Sequence, residues 1–270
     1  KHRDRIPLYA NGWFLGKELT PKSYAAEARG IVKAGFSALK CDPFRNLYLS
    51  GLHDPSNMGI APEEEERGIE TVAAIREAVG PGVEIAVDAH GRYSVATAIR
   101  LGQRLEPYRL MWFEEPVPPE NLDALRMVRE RTRVPLCVGE RVFTRHGFRP
   151  ILERGLVDHI MPDITRTGGI SEMRKIATMA EAYFLQVSPH NPNSPLSTYA
   201  CAQVLASIPN VHRLEFWVND VPWLEEAFGP FPIRDGFLSV PSGPGLGVEV
   251  NEKVLRKHPA RRVAAPGVYI

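Results

Sequence analysis

The 270-residue sequence has no long hydrophobic run. Its longest apolar stretches are strand-sized, well short of the roughly 20 residues a membrane-spanning helix requires. Cysteine is scarce: Cys41, Cys137 and Cys201 have neither disulfide nor metal-ligand spacing. A disulfide scaffold and a thiolate zinc site are therefore excluded, and the three read as reduced core thiols of a cytoplasmic protein. An excess of one charge is also lacking. Lys and Arg number 33 against 32 Asp and Glu, a formal net charge of +1, with the bases spread through the chain. Nothing in that distribution favours nucleic acid or an anionic membrane surface as a partner. The first residues, KHRDRIPLYANGW, carry no initiator Met and no signal-like apolar region, and an upstream part is expected to be missing.

What is present is a row of acids and one imidazole, each ending a short apolar run. They are Asp88 in IAVDAH, Glu114 in LMWFEEP, Glu140 in PLCVGE, Asp163 in HIMPD, His190 in QVSPH and Glu215 in HRLEFW, separated by 26, 26, 23, 27 and 25 residues. That interval is one strand, one loop and one helix, the repeat of a parallel α/β barrel whose chemistry lies at the strand C-termini. Strands are expected near 6–10, 36–42, 84–90, 109–115, 135–140, 158–163, 184–189 and 211–217, with seven helices between them. Thr20-Pro21 and Ser194-Pro195 mark helix starts, a hydroxyl cap followed by proline. The fold class is thus α/β, a (β/α)7β TIM-like barrel with parallel strands. The barrel domain is expected over 1–217. Residues 218–270 are expected to form a C-terminal segment that packs against the barrel and a missing capping domain, with a strand pair around DGFLSVPSGPGLGVEV whose partner is expected in the missing upstream segment. The 43–61 connection is unusually long, and such loops are often functional.

Three successive strand tips carry Asp88, Glu114 and Glu140. Neighbouring strands lie about 4.8 Å apart, so their carboxylates converge on one ion. An all-oxygen set without cysteine suits Mg²⁺, or Mn²⁺, rather than Zn²⁺. Glu115 points to the opposite face from Glu114 and is set aside. Asp163 and His190 end the next two strands, and a carboxylate on one imidazole nitrogen leaves the other free to move a proton. His90, two residues beyond Asp88, is either a further ligand or a general acid, and we read it as the acid. Lys40 and Asp42 share a face of the second strand. Lys40 is positioned to meet a substrate carboxylate or a developing oxyanion, or else to pair with Asp42. Glu215 is expected either to hydrogen-bond a substrate oxygen when protonated or to orient a neighbour. Arg141, Arg166 and Asn191 are placed on the rim, where they contact substrate or only solvent. His53, His146 and His159 carry no positional argument.

The Asp88, Glu114 and Glu140 series with the Asp163–His190 dyad resembles the barrel domain of the enolase superfamily, mandelate racemase-like branch. Within it, VDAHGR, LEPYRLMWFEEP, VGER, GGISEMRKIATMAEAY and DGFLSVPSGPGLGVEVNE look most like D-galactonate dehydratase and related acid-sugar dehydratases. The resemblance implies an N-terminal capping domain, expected to be missing from this chain, a homo-oligomer, and a small-molecule acid-sugar (aldonate) substrate. It also implies a reaction. His190 removes the proton α to the carboxylate, His90 protonates the departing hydroxyl, and a 2-keto-3-deoxy acid results, with Mg²⁺ and Lys40 on the carboxylate. Racemases of this branch carry a second lysine two residues after the first, where this chain has Asp42. That favours dehydration over racemisation or epimerisation. A non-catalytic barrel that only binds a sugar acid is the remaining alternative.

Overall fold

Helices begin where a side chain or a proline relieves the unpaired first-turn amides. Thr20 Oγ1 accepts from Ser23 N at 3.2 Å, and Pro21 follows it to open α1 (Pro21–Lys33). Helix α2 (Pro62–Val79) has no side-chain cap, but Glu63, Glu64 and Glu65 crowd the positive end of its dipole. Ser94 caps α3 (Val95–Leu105) and Asn121 caps α4 (Leu122–Arg129). Next come α5 (Thr144–Glu153), α6 (Gly169–Ala182) and α7 (Pro195–Ala206). Ser194 makes no capping bond, so α7 starts on its proline alone. The computed structural model describes residues 2–15, 20–44, 58–218 and 221–259. Most of the long 43–61 connection, His53 included, lies outside the described residues.

The strands between these helices are β1 (Arg5–Asn11), β2 (Ala38–Cys41), β3 (Glu84–Asp88), β4 (Trp112–Glu114), β5 (Leu136–Val138), β6 (His159–Ile160), β7 (Gln186–Val187) and β8 (Leu214–Trp217). Strands β1 to β7 pair in sequence order, all parallel, and β8 pairs with the other side of β1. Among the described residues no ladder joins β7 to β8; one isolated parallel bridge, Val187↔Val211, links β7 to the segment just before β8. This is the barrel order. The hydrogen-bonded strands are shorter than the sequence pattern suggests. Arg109 turns left-handed at φ 49 and delays β4, and β6 and β7 last only two residues each. Asp163 and His190 therefore stand just past their strands.

Two apolar clusters hold the ring. The larger packs strands against helices. The smaller consists of Tyr9, Ala38, Ala86, Met111, Trp112, Cys137 and Met161. Ala38, Ala86, Trp112 and Met161 each precede a polar tip residue by two positions (Lys40, Asp88, Glu114 and Asp163). They share its face one layer lower, and so form the floor on which the polar tips stand. Trp112 fills that floor, with Tyr9 edge-on at 5.4 Å.

Beyond β8 come α8 (Pro222–Phe228), the hairpin β9 (Ile233–Arg234) and β10 (Phe237–Ser239), and α9 (Glu252–Lys257). The two helices are not evident in the sequence pattern. Strand β10 pairs antiparallel with Arg5–Pro7 of β1. The partner of this strand pair is thus the barrel's own first strand, where the sequence pattern points to a missing upstream segment. The segment also covers α7: Gln203 Nε2 donates to the Pro241 carbonyl at 2.9 Å, and Tyr199 stacks on Phe231 at 5.2 Å. This cover explains why α7 has almost no polar face.

Candidate active site

Asp88 and Glu114 are register partners on β3 and β4. Glu140 lies beyond β5, after Gly139 at φ 146, where a Cβ would stand 2.9 Å from the Met161 backbone. Only glycine fits that turn, and it swings Glu140 back over the ring. One oxygen each from Asp88, Glu114 and Glu140 falls within 4.8 Å of the others. Lys40 Nζ lies 2.7 Å from Glu114 Oε1, 3.0 Å from Glu215 Oε1 and 3.2 Å from Asp88 Oδ2. The Trp112 indole donates to Glu114 Oε2 at 2.9 Å. Burial would lower the Lys40 ammonium, but the facing Glu114 and Glu215 carboxylates hold it well above its ordinary range. Burial, then the Asp88 charge, push Glu114 up. One ammonium among four carboxylates leaves excess negative charge. Three oxygen donors, buried and convergent, fit a hard divalent cation.

His190 connects this cluster to the dyad. Its Nδ1 lies 2.8 Å from Asp163 Oδ2, and its Nε2 lies 3.2 Å from Glu140 Oε2. Asp163 is fixed further by Thr165, whose backbone N and Oγ1 both donate to Oδ1 at 2.7 Å, and by Asn193 Nδ2 at 2.9 Å on Oδ2. Burial raises the Asp163 carboxyl, but the bonds from His190 and Thr165 outweigh it and hold it at about 2, against an ordinary 3.8. A depressed carboxylate contributes stability that is complete above its unfolded value and lost as pH falls through the folded one. Metal-free wild type is thus expected to exceed Asp163→Asn by about 2 kcal/mol near neutrality. The margin should narrow progressively below pH 3.8. Urea denaturation of both proteins across the acid range checks this, and a margin indifferent to acid would refute it.

His90 is not on the strand. The chain turns left-handed there at φ 49, so strand alternation does not place it. The turn nonetheless brings Nδ1 to 3.3 Å from both Asp42 Oδ2 and Asp88 Oδ1, with the side chain 45% exposed toward solvent. Burial opposes the imidazolium, but Asp88 and Asp42 raise it above its ordinary value. Asp42 does not pair with Lys40. Its carboxylate accepts from Arg92 Nη2 at 2.7 Å and from the Phe44 backbone N at 3.2 Å.

Glu215 is engaged on both oxygens, by Asn11 Nδ2 at 2.6 Å and by the Asn191 backbone N at 2.6 Å. Burial raises it, but Lys40 and His190 more than reverse that. It accepts from its neighbours and holds them, the orienting part of the two roles expected of it. Asn191 is buried rather than on the rim. Its amide bonds Thr198 Oγ1 and the Glu215 carbonyl, and accepts from Ser197 Oγ. Arg141 donates to Glu115, and Arg166 Nε stands 3.6 Å from Asp163. His159, without a positional argument in the sequence, is packed inside the ring beside Trp112 at 5.4 Å. Sequence reasoning misses Asn11, Arg92, Trp112, Thr165 and Asn193. Signals were available for some: Asn11 ends the first strand, Thr165 sits two residues after Asp163, and Asn193 stands three after His190.

The geometry has counterparts among known proteins. A D-gluconate dehydratase of Thermoproteus tenax is 38% identical over 268 residues, covering 98% of this chain and 52% of that protein. A D-xylonate dehydratase of Haloferax volcanii is 36% identical over 262 residues, covering 96% of this chain and 62% of its own length. The chain therefore spans only part of either relative. The solved structure of a mandelate racemase/muconate lactonizing enzyme-like protein from Rubrobacter xylanophilus superposes with a TM-score of 0.86 at 39% identity, over 96% of this chain and 69% of that one. Among the described residues no helix is long and apolar enough to cross a membrane. Residues 23–254 match the enolase C-terminal domain-like family model, whose enzymes use a divalent metal, and the chain belongs to that family.

Proposed function

We propose that the protein dehydrates an acid sugar, an aldonate, to a 2-keto-3-deoxy acid with Mg²⁺, or Mn²⁺ in its place. The observation that carries this reading is the His190 imidazole, locked through Nδ1 by Asp163 and facing the carboxylate cluster through Nε2. Asp88, Glu114 and Glu140 would hold the cation. Bound there, it supplies the positive charge that makes a proton α to a carboxylate acidic enough to lose.

Every other part falls to side chains. Lys40, kept protonated among its carboxylates, faces the substrate carboxylate and the charge that develops on it. Glu215, itself held by Asn11, fixes Lys40. His190 Nε2 takes the α-proton, and Asp163 holds the resulting imidazolium. His90, poised by Asp42 and Asp88 and open to the mouth, delivers a proton to the departing 3-hydroxyl. The enol product tautomerises to the 2-keto acid. Racemisation needs a base on the opposite face of the substrate. The position two residues beyond Lys40 holds Asp42, already engaged by Arg92 and His90. A homo-oligomer and a cytoplasmic site of action belong to the same proposal, which rests for them on the family likeness and on three buried free cysteines.

The test is incubation of aldonates and aldarates with the Mg²⁺-loaded protein in D₂O. Water loss with formation of a 2-keto-3-deoxy acid is the expected outcome. Deuteration at the α-carbon with inversion and no water loss would replace the reading with an epimerase. Tight metal-dependent binding without chemistry would replace it with a binding protein.

A further inference from the structure

Next to the carboxylate cluster lies a set of contacts that the proposed chemistry does not use. Glu115 follows Glu114 in sequence, and Arg141 follows Glu140. Arg141 donates to Glu115 Oε2 from Nε at 2.9 Å and from Nη2 at 2.5 Å. The Glu115 carbonyl accepts from the backbone N of Gly91, three residues beyond Asp88, at 2.7 Å, and the Glu115 backbone N donates to the Cys137 carbonyl at 3.0 Å. Gly91 lies so close under the guanidinium that a Cβ there would stand 2.2 Å from Arg141 Nη2. All three acid-bearing segments are therefore tied to one residue, Glu115.

Two further observations mark this residue. Glu115 is fully buried, with Oε1 lacking a hydrogen-bond partner. Its backbone is left-handed at φ 38, and His90 on the neighbouring segment is left-handed at φ 49. Non-glycine residues hold such geometry only where their surroundings over-determine it. An orphaned oxygen and a strained backbone at the same residue are tolerated for what its other oxygen and its carbonyl accomplish.

We propose that Glu115 and Arg141 are positioning residues that fix the spacing of Asp88, Glu114 and Glu140, and so set the site's preference for a small divalent ion over Ca²⁺. This rests on the reading of those three acids as metal ligands. Mg²⁺ demands near-ideal octahedral geometry at about 2.0 to 2.1 Å, whereas Ca²⁺ accepts looser sets at about 2.3 to 2.6 Å. A rigid frame favours the first ion, and slack in the frame favours the second.

Calorimetric titration of Mg²⁺ and of Ca²⁺ into wild type, Glu115→Gln, Arg141→Lys and Arg141→Met tests this, with melting of each metal-free protein alongside. Arg141→Met is expected to weaken Mg²⁺ by about 10- to 100-fold and Ca²⁺ much less, so that the Mg²⁺/Ca²⁺ ratio falls. Arg141→Lys should recover part of the loss, because one ammonium still reaches Glu115. Glu115→Gln keeps the side chain's size and decides the matter if Arg141→Met does not fold. Unchanged Mg²⁺ affinity in folded variants would overturn the inference. So would parallel losses for both ions that track the melting temperature, since those report general loosening. A wild-type chain that binds no Mg²⁺ overturns the ligand assignment itself, and the positioning role with it.

Discussion

His190→Asn is expected to lose about 10³-fold in dehydration, and to lose α-proton exchange to the same extent. The two losses go together because one nitrogen, His190 Nε2, is assigned the first proton transfer, and every later step depends on it. Asparagine retains an amide that can still meet Asp163, so the loop should keep its place. His90→Asn should behave differently. Its assigned task comes after proton removal, at the departing hydroxyl. Dehydration should therefore fall while α-proton exchange in D₂O persists. Following solvent deuterium by NMR and the keto acid by a carbonyl assay separates the two. A His190→Asn protein that still exchanges its α-proton at the wild-type rate would remove His190 from the mechanism. A His90→Asn protein that loses both activities equally would make His90 a structural partner of Asp42 and Asp88 rather than an acid.

How much of this could be read in the residues depends on how local the cause is. The register of Asp88 with Glu114 is legible because both sit on regular strands, where alternation and spacing fix which face a side chain takes. The order of the barrel is legible for the same reason: each βα unit carries its own apolar pattern. Asp163 and His190 lie past strands only two residues long, yet interval counting still finds them, because a chain leaving the ring continues upward before it turns. Alternation fails at His90. A left-handed residue there redirects the side chain, and a φ angle leaves little trace in a sequence beyond the glycine that follows. The Lys40–Asp42 pairing fails because a residue 50 positions away, Arg92, takes the carboxylate. Asn191 fails similarly: Ser197 and Thr198, at the start of the next helix, turn it inward. The hairpin after the barrel is legible as a hairpin, but its pairing with β1 joins Arg5–Pro7 to Phe237–Ser239, far apart in sequence. No local pattern announces that contact.

Lys40→Met should separate stability from metal binding by moving them in opposite directions. Lys40 contacts Asp88, Glu114 and Glu215 at once, and it is 2% exposed. Methionine keeps much of its length and removes its charge, leaving buried carboxylates to repel one another. Breaking a buried charge cluster in this way costs about 3 to 5 kcal/mol. For a domain of this size that corresponds to a fall of about 10 °C in the melting temperature of the metal-free protein. The same ammonium repels any cation held by Asp88 and Glu114. Its removal should tighten Mg²⁺, and because a ligand specific to the folded state stabilises by RT times the logarithm of one plus the ratio of its concentration to its Kd, the Mg²⁺-induced rise in melting temperature should be larger in the variant than in wild type. Turnover should still be lost, because the substrate carboxylate has no ammonium to meet. Scanning calorimetry with and without Mg²⁺ reads both quantities from one preparation. A variant as stable as wild type without metal, or one whose Mg²⁺-induced rise is smaller, would show that Lys40 does not hold the carboxylates' charge in the way its three contacts require.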